Sequence, residues 1–300
     1  MLLQQLIQGL TIGYVYALIA LGYTMVYGIL QLINFAHGEI YMLGAYMTII
    51  GFGLFTSFGL TETSIFLSLF LTLIFTILFV SAYGLTVERV AYKPLRSAPR
   101  LSPLISAIGV SIFLQNFVML TQGATYKVFP PLFATQGFTI GDTKVTYLQV
   151  SIILLSSVIM ALLHIFISRT KTGKAMRAVA QDILMASLVG IDTDRIIALT
   201  FILGSGLAAV AGFMVTLYYG LINYYIGYIA GIKAFTAAVL GGIGSIPGAM
   251  FGGILLGLVE SLAAGYISPE YKDAYAFVVL IIILLIKPSG LFKKVIEEKV

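Results

Sequence analysis

The chain has 300 residues, 60% of them hydrophobic and 10% charged, with a formal net charge of +5 and no cysteine. That composition excludes a soluble globular domain, and long charge-free runs exclude a β-barrel, whose segments are short and alternate. The missing cysteines exclude disulfides, thiolate metal sites and a cysteine nucleophile. The positive balance does not imply nucleic acid, because the basic residues gather in loops between apolar runs.

The opening MLLQQLIQGL has no basic region and reads as the start of a first span, not as a cleaved signal peptide. That span fits Gln5 to Gly28, dotted with Gly9, Gly13, Gly22 and Gly28, as small residues do where helices pack closely in lipid. A polar interruption, Q-L-I-N-F-A-H-G-E, precedes a second span that ends at Phe58. Residues 59–63 form a short loop, and Ser64 to Val87 a third span. Glu88 to Arg100 is a basic loop with Arg89, Lys93, Arg96 and Arg100; Pro94, Pro99 and Pro103 keep it from continuing as helix. Leu104 to Thr121 is the fourth span, Gln122 to Thr146 a longer loop, and Tyr147 to Ile167 the fifth span.

Arg169 to Arg195 is the longest polar interval. Thr172 or Gly173 can cap a helix there and Gly190 can end it. Met176, Val179, Ile183 and Ser187 fall on one stripe, widened by Leu184 and Leu188; Lys174, Arg177 and Gln181 fall on another. Such a helix either rests on anionic headgroups or docks into a groove of a cytosolic partner. Gly173-Lys174 imitates the end of a P-loop, but Ser168 and Ala175 stand where that motif needs Gly and Ser or Thr. ATP, if it powers this chain, is bound by another subunit.

The sixth span runs from Ile196 to Tyr218, and the tyrosines of 218–228 suit a membrane–water interface. Ile232 to Leu240 is too short to cross comfortably and breaks at Gly241 to Gly248. Ala249 to Ala264 and Ala274 to Ile286 are the last spans, followed by a short soluble tail. The count is nine crossings, or eight if 232–246 re-enters. Thirteen of the 17 Lys and Arg lie in 89–100, 169–195 and 287–299, and this span count puts all three on one face. The positive-inside rule makes that face cytoplasmic, with the N-terminus outside and the C-terminus inside.

Charges within the oil are costly and often functional. Glu39, in the first turn of the second helix, is either an interfacial cap or part of a pathway. Glu260 reads as a structural pair more than a proton relay, Lys233 as a snorkelling side chain, and His164 as a structural histidine. The breaks at Asn34 to Glu39 and Gly241 to Gly248 are either tight turns or the lining of a cavity that satisfies their backbone. On the second reading Asn34, Phe35, His37, Gly38, Glu39, Gly241, Gly242, Gly244 and Gly248 line the translocation pathway.

The segment T-x-x-G-x-A-M-R-A-x-A-Q-D-x-x-x-A-x-L-x-G-I within 169–195, L-I-N-F-A-H-G-E near residue 35 and L-G-G-I-G-S-I-P-G-A near residue 245 resemble, in order, branched-chain amino acid ABC importer permeases of the LivH type. The resemblance covers the whole chain. It implies an all-α polytopic membrane protein with an ABC importer permease fold, about eight or nine transmembrane helices, some broken or re-entrant, in one domain over 1–300. It makes the 169–195 loop the coupling helix that sits in a cleft of the ATPase, through Thr172, Gly173, Ala175, Met176, Arg177, Ala178, Ala180, Gln181, Asp182, Ala186 and Gly190. The implied partners are a second permease, forming a heterodimer, two cytosolic ATPases that bind ATP and Mg, an extracytoplasmic binding protein and the lipid bilayer of the inner membrane. The chain would bind no cofactor and catalyse no reaction. A stand-alone secondary transporter of a small polar solute is the rival reading; the scarcity of intramembrane acids argues against it, although backbone carbonyls can hold Na⁺. A membrane enzyme is a third, without H-E-x-x-H or paired carboxylates to support it.

Overall fold

The computed structural model describes residues 1–96, 98–99, 101–132 and 136–292. Ser97, Arg100 and the basic tail beyond residue 292 lie outside the described residues. Twelve α-helices dominate: α1 (Leu2–Leu30), α2 (His37–Ser57), α3 (Leu60–Thr63), α4 (Ile65–Val87), α5 (Leu101–Gln122), α6 (Tyr147–Arg169), α7 (Lys171–Gln181), α8 (Ile183–Leu188), α9 (Thr193–Tyr219), α10 (Ile226–Gly241), α11 (Ile246–Tyr266) and α12 (Lys272–Ile286). Among the described residues seven helices are long and apolar enough to cross a membrane. The other two expected crossings are α10 and α12, of 16 and 15 residues. At ~1.5 Å per residue they span about 24 and 22 Å, short of a ~30 Å hydrocarbon core.

The helix α1 is the central pillar, with Ala17 to Leu21 wholly buried. It runs antiparallel to α11 along a seam of small residues. A Cβ built on Gly257 would lie 2.3 Å from the Cα of Gly13, and one on Gly253 would lie 2.4 Å from that of Ala17. Gly9, Gly13 and Ala17 thus face Ser261, Gly257 and Gly253 at four-residue spacing, the repeat that lets two helices approach backbone to backbone. Without a hydrophobic drive between helices in lipid, this close packing is what joins them. Behind the seam, α9 packs on α1, α2 and α4, and Gly84 of α4 leaves room for Ser205 of α9. The outer faces of α5, α6 and α12 expose large apolar side chains such as Ile112, Leu162 and Leu285, as lipid-facing surfaces do.

One end of the bundle, the loop face, carries residues 88–96 and 169–195. Two expectations fail there. The prolines do not end the helix after Val87: α4 continues as a π turn (Glu88–Tyr92) and a 3₁₀ turn (Lys93–Leu95). Pro94 stands at the start of the 3₁₀ turn, where an N–H is not needed, and Pro103 lies inside the first turn of α5, so that helix starts at Leu101, not Leu104. Nor is the polar interval one amphipathic helix. Asp182 turns to extended backbone and caps α8 by accepting the Met185 amide at 3.0 Å, splitting α7 from α8. Thr170, not Thr172 or Gly173, caps α7 by accepting the Gly173 amide at 3.0 Å. Gly190 does end α8, with φ +88°.

At the opposite end, the far face, the expected plain loops carry four short strands. β1 (Lys127–Val128) pairs antiparallel with β4 (Leu221–Ile222), and β2 (Gly137–Ile140) with β3 (Thr143–Thr146). Thr146 and Gln149 then form a capping box that starts α6.

Candidate functional site

The chain between α1 and α2 folds back into the bundle. Gln31, with φ +51°, ends α1, and the His37 amide donates to the Asn34 carbonyl at 3.0 Å. His37 then sits in the notch left by Gly22, eight residues before the end of α1, so α2 begins about 12 Å inside the bundle. Asn34 is buried and accepts from the Tyr92 hydroxyl at 2.7 Å, tying this turn to the π turn after α4. The start of α10 meets the start of α2 from the opposite direction. A Cβ on Gly38 would lie 2.4 Å from the Gly227 carbonyl oxygen, and one on Gly227 would lie 2.5 Å from Glu39 Oε2. Glycines at 38, 227 and 231 therefore let two helix N-termini cross inside the protein with a carboxylate between them.

Glu39 is 1% exposed. Its Oε1 accepts from Ser111 at 3.3 Å, and among the described residues its Oε2 has no hydrogen-bond partner. The carboxylate faces a cavity of about 590 Å³, the gap left where α5 packs on α2 and stays clear of α10. Phe35 joins Glu39 in its lining. His37 and Gly38 pack behind the cavity wall, and Asn34 is turned toward Tyr92.

The second break does not reach this cavity. Gly241 to Gly248 is a tight turn at the loop face, with Gly242 and Gly244 at φ +99° and +94°. Ser245 caps α11, and Gly241 and Gly248 press backbone to backbone. The amides of Leu291 and Phe292 close the end of α10 on the carbonyls of Leu240 and Gly241 at 2.9 and 3.1 Å. Gly244 lines two other spaces, one of about 90 Å³ with Gly28 and Met176 and one of about 540 Å³ with Gly28, Gln31 and Phe292. The residues that do wall the Glu39 cavity, Gly227, Tyr228 and Gly231, fall in or beside the tyrosine-rich stretch, which reads as an interfacial belt.

Lys233 does not snorkel. It is 5% exposed and bonds Glu260 at 2.8 Å and Asp273 at 2.6 Å, while Lys272 reaches Glu260 at 3.3 Å. The Tyr16 hydroxyl donates to Glu260 at 3.3 Å. Two cations and two anions thus neutralise one another where α1, α10, α11 and α12 meet. His164 is exposed on α6.

At the loop face, Met176 and Val179 of α7 turn inward and are buried. Arg177, exposed on α7, donates to the Ile167 carbonyl at the end of α6. Gly173 is packed on the same carbonyl, Thr172, Ala175, Ala178 and Ala180 are half-buried, and Gln181 stays at the surface. The start of α9 is clasped to the basic turn: Asp194 bonds Lys93 at 2.6 Å and Arg96 at 2.5 Å, and Arg96 also bonds Glu88. Beyond Asp182 only Ala186 is buried in α8; Leu184 is 68% and Leu188 72% exposed, with Met185 and Val189 beside them. An apolar patch on a polar loop marks an interaction surface.

The family model for "Branched-chain amino acid transport system / permease component" matches residues 5–284. The high-affinity branched-chain amino acid transport system permease protein LivH of Salmonella typhimurium is 50% identical, over 99% of this chain and 97% of its own. The corresponding BraD of Pseudomonas aeruginosa is 50% identical, over 99% and 98%. A probable LivH of Methanocaldococcus jannaschii is 27% identical, over 91% and 87%. With a bundle of apolar helices, a family model across nearly its whole length and relatives matched end to end, this chain is a multi-pass membrane protein that belongs to the family of branched-chain amino acid transport permeases.

Proposed function

We propose that the chain is the membrane-spanning permease subunit of an ATP-driven importer that carries leucine, isoleucine and valine across the inner membrane. A second permease subunit pairs with it, two cytosolic ATPases bind the ATP and Mg, and an extracytoplasmic binding protein delivers the substrate. The loop face is cytoplasmic, with the N-terminus outside and the C-terminus inside. The observation that carries this reading is α8: a permease of this family presents a bare apolar turn on its most polar loop, a shape suited to a cleft in a soluble partner. The division of labour within the loop follows from the Asp182 break. α7 is bolted to α6 through Arg177 and Gly173, and α8 is the part left to dock. Force on α8 reaches α1, α6 and α9 through α7 and its buried Met176 and Val179.

The test is co-purification in mild detergent with all subunits expressed together. Leu184→Glu with Leu188→Glu should abolish ATPase capture and leucine uptake while the permease still inserts. Normal ATPase capture by that variant would remove the docking role of α8. Uptake of none of the three amino acids by the unsubstituted complex would remove the importer reading itself.

A further inference from the structure

We propose that the Glu39 cavity is a holding site for a zwitterionic amino acid inside the membrane, with separate places for its ammonium, its carboxylate and its branched side chain. This rests on the importer reading above and says which atoms of this chain the substrate meets. The ammonium place is Glu39: a carboxylate this deep needs a cationic partner, and among the described residues Oε2 has none. Gly227 supplies no side chain to crowd that buried oxygen, and Glu39 lines the cavity wall.

The carboxylate place is the first turn of α10. The Tyr225 and Ile226 amides turn back to Asn223, and no side chain caps the helix. The amides of Gly227 and Tyr228 have no acceptor within their own helix, and both residues line the cavity. A helix start whose amides carry no cap favours an anionic group. Gly227 belongs to both places, so cation and anion sites lie within a few ångströms, the spacing of the two charges on one α-amino acid. The rest of the wall is largely apolar, with Phe35, Ile108, Ile112, Ile232, Phe235 and Leu280, and Gln115 and the Tyr23 and Tyr225 side chains complete it. The volume, about 590 Å³, lies within the ~300–1,000 Å³ usual for small-molecule pockets.

The chain lacks cysteine, so Ile108→Cys gives a single reporter on this wall. The whole complex, purified into lipid nanodiscs without the binding protein, is treated with a small thiol reagent. Leucine should slow labelling at least fivefold. 4-Methylpentanoate, which lacks the ammonium, and 3-methylbutylamine, which lacks the carboxylate, should each protect at least fivefold less well. Adding Glu39→Gln should abolish protection by leucine in a complex that still assembles at parental yield; Glu39→Asp should retain part of the protection. Full leucine protection in the Glu39→Gln background, or no protection in the parent while that complex imports leucine, overturns this site and leaves the importer reading standing. Protection by 3-methylbutylamine equal to that by leucine overturns the α10 carboxylate place. If the parent complex imports no branched-chain amino acid, the reading beneath fails and this proposal with it.

Discussion

Glu39 and Glu260 are both 1% exposed, and both lie on helices that touch α10. Glu260 is met by Lys233, Lys272 and the Tyr16 hydroxyl. Glu39 is met by a single serine and an open cavity. A charge taken from water needs compensation wherever it lies. At Glu260 the protein supplies that compensation permanently, which makes the cluster a scaffold joining α10, α11 and α12. At Glu39 it leaves one oxygen unpartnered, and the glycines around it hold the space open. The difference separates a carboxylate that holds the bundle together from one available to a passing ligand.

The comparison breaks most easily at Lys233. Lys233→Met leaves Glu260 with Lys272 alone and Asp273 without its buried partner, and removing one member of such a pair typically costs ~3–5 kcal/mol. The thermal midpoint and yield of the purified complex should fall sharply. The double variant with Glu260→Gln should recover much of the loss, since the only carboxylate left without Lys233 is then Asp273, whose side chain is 57% exposed to solvent. Equal instability of the single and double variants would mean that packing, not charge, is what Lys233 supplies.

The next effect belongs to the seam on which the Glu260 cluster stands. Gly257→Leu drives a side chain into the backbone of Gly13, and overpacking of this kind costs ~1–3 kcal/mol. Gly109→Leu on α5 is the control, because nothing lies within 4 Å of a Cβ there. The two should separate clearly in detergent-extracted yield; equal tolerance would show that the seam can open. Tyr16→Phe is smaller. It removes one 3.3 Å hydrogen bond to Glu260 and should cost about 1 kcal/mol in a melting experiment. A loss as large as that of Lys233→Met would make the hydroxyl, not the ammonium, the main support of Glu260.

The sequence makes the helices legible because their apolar runs are long, and it makes the α1–α11 contact half-legible through the four-residue spacing of Gly9, Gly13, Gly253 and Gly257. The polar interruption at Asn34 to Glu39 announces itself because charge and amide groups are rare in such runs. What stays hidden is pairing. Nothing near Lys233 in the chain names Glu260, 27 residues away, or Asp273, 40 residues away, so a lone lysine reads as a snorkelling one. Gly227 and Gly231 are masked by the tyrosines around them, although their spacing is that of a close helix crossing. The Asp182 break is local and could be found: an Asp with an extended conformation available can cap the turn that follows as well as continue the one before. The rule for prolines misleads after Val87, because it forbids a proline inside a helix but not at the start of a tighter turn.

The smallest stability effect is the sharpest test of the contrast. Glu39→Gln keeps the shape of the side chain and an oxygen that can accept from Ser111, and it exchanges only the unpartnered oxygen for an amide facing the cavity. The folded protein loses no ion pair and sheds a buried charge that has no cationic partner, so the thermal midpoint should not fall. Glu260→Gln, the same chemical change, strips Lys233 and Lys272 of a partner in a buried cluster and should lower the midpoint. Measured side by side as thermal midpoints of the intact complex, the ordering Glu39→Gln well above Glu260→Gln is what a ligand site and a scaffold require. If Glu39→Gln melts as early as Glu260→Gln, the carboxylate at 39 is a structural anchor, and its unpartnered oxygen would have to find a partner in the assembled complex, such as the second permease, before any substrate arrives.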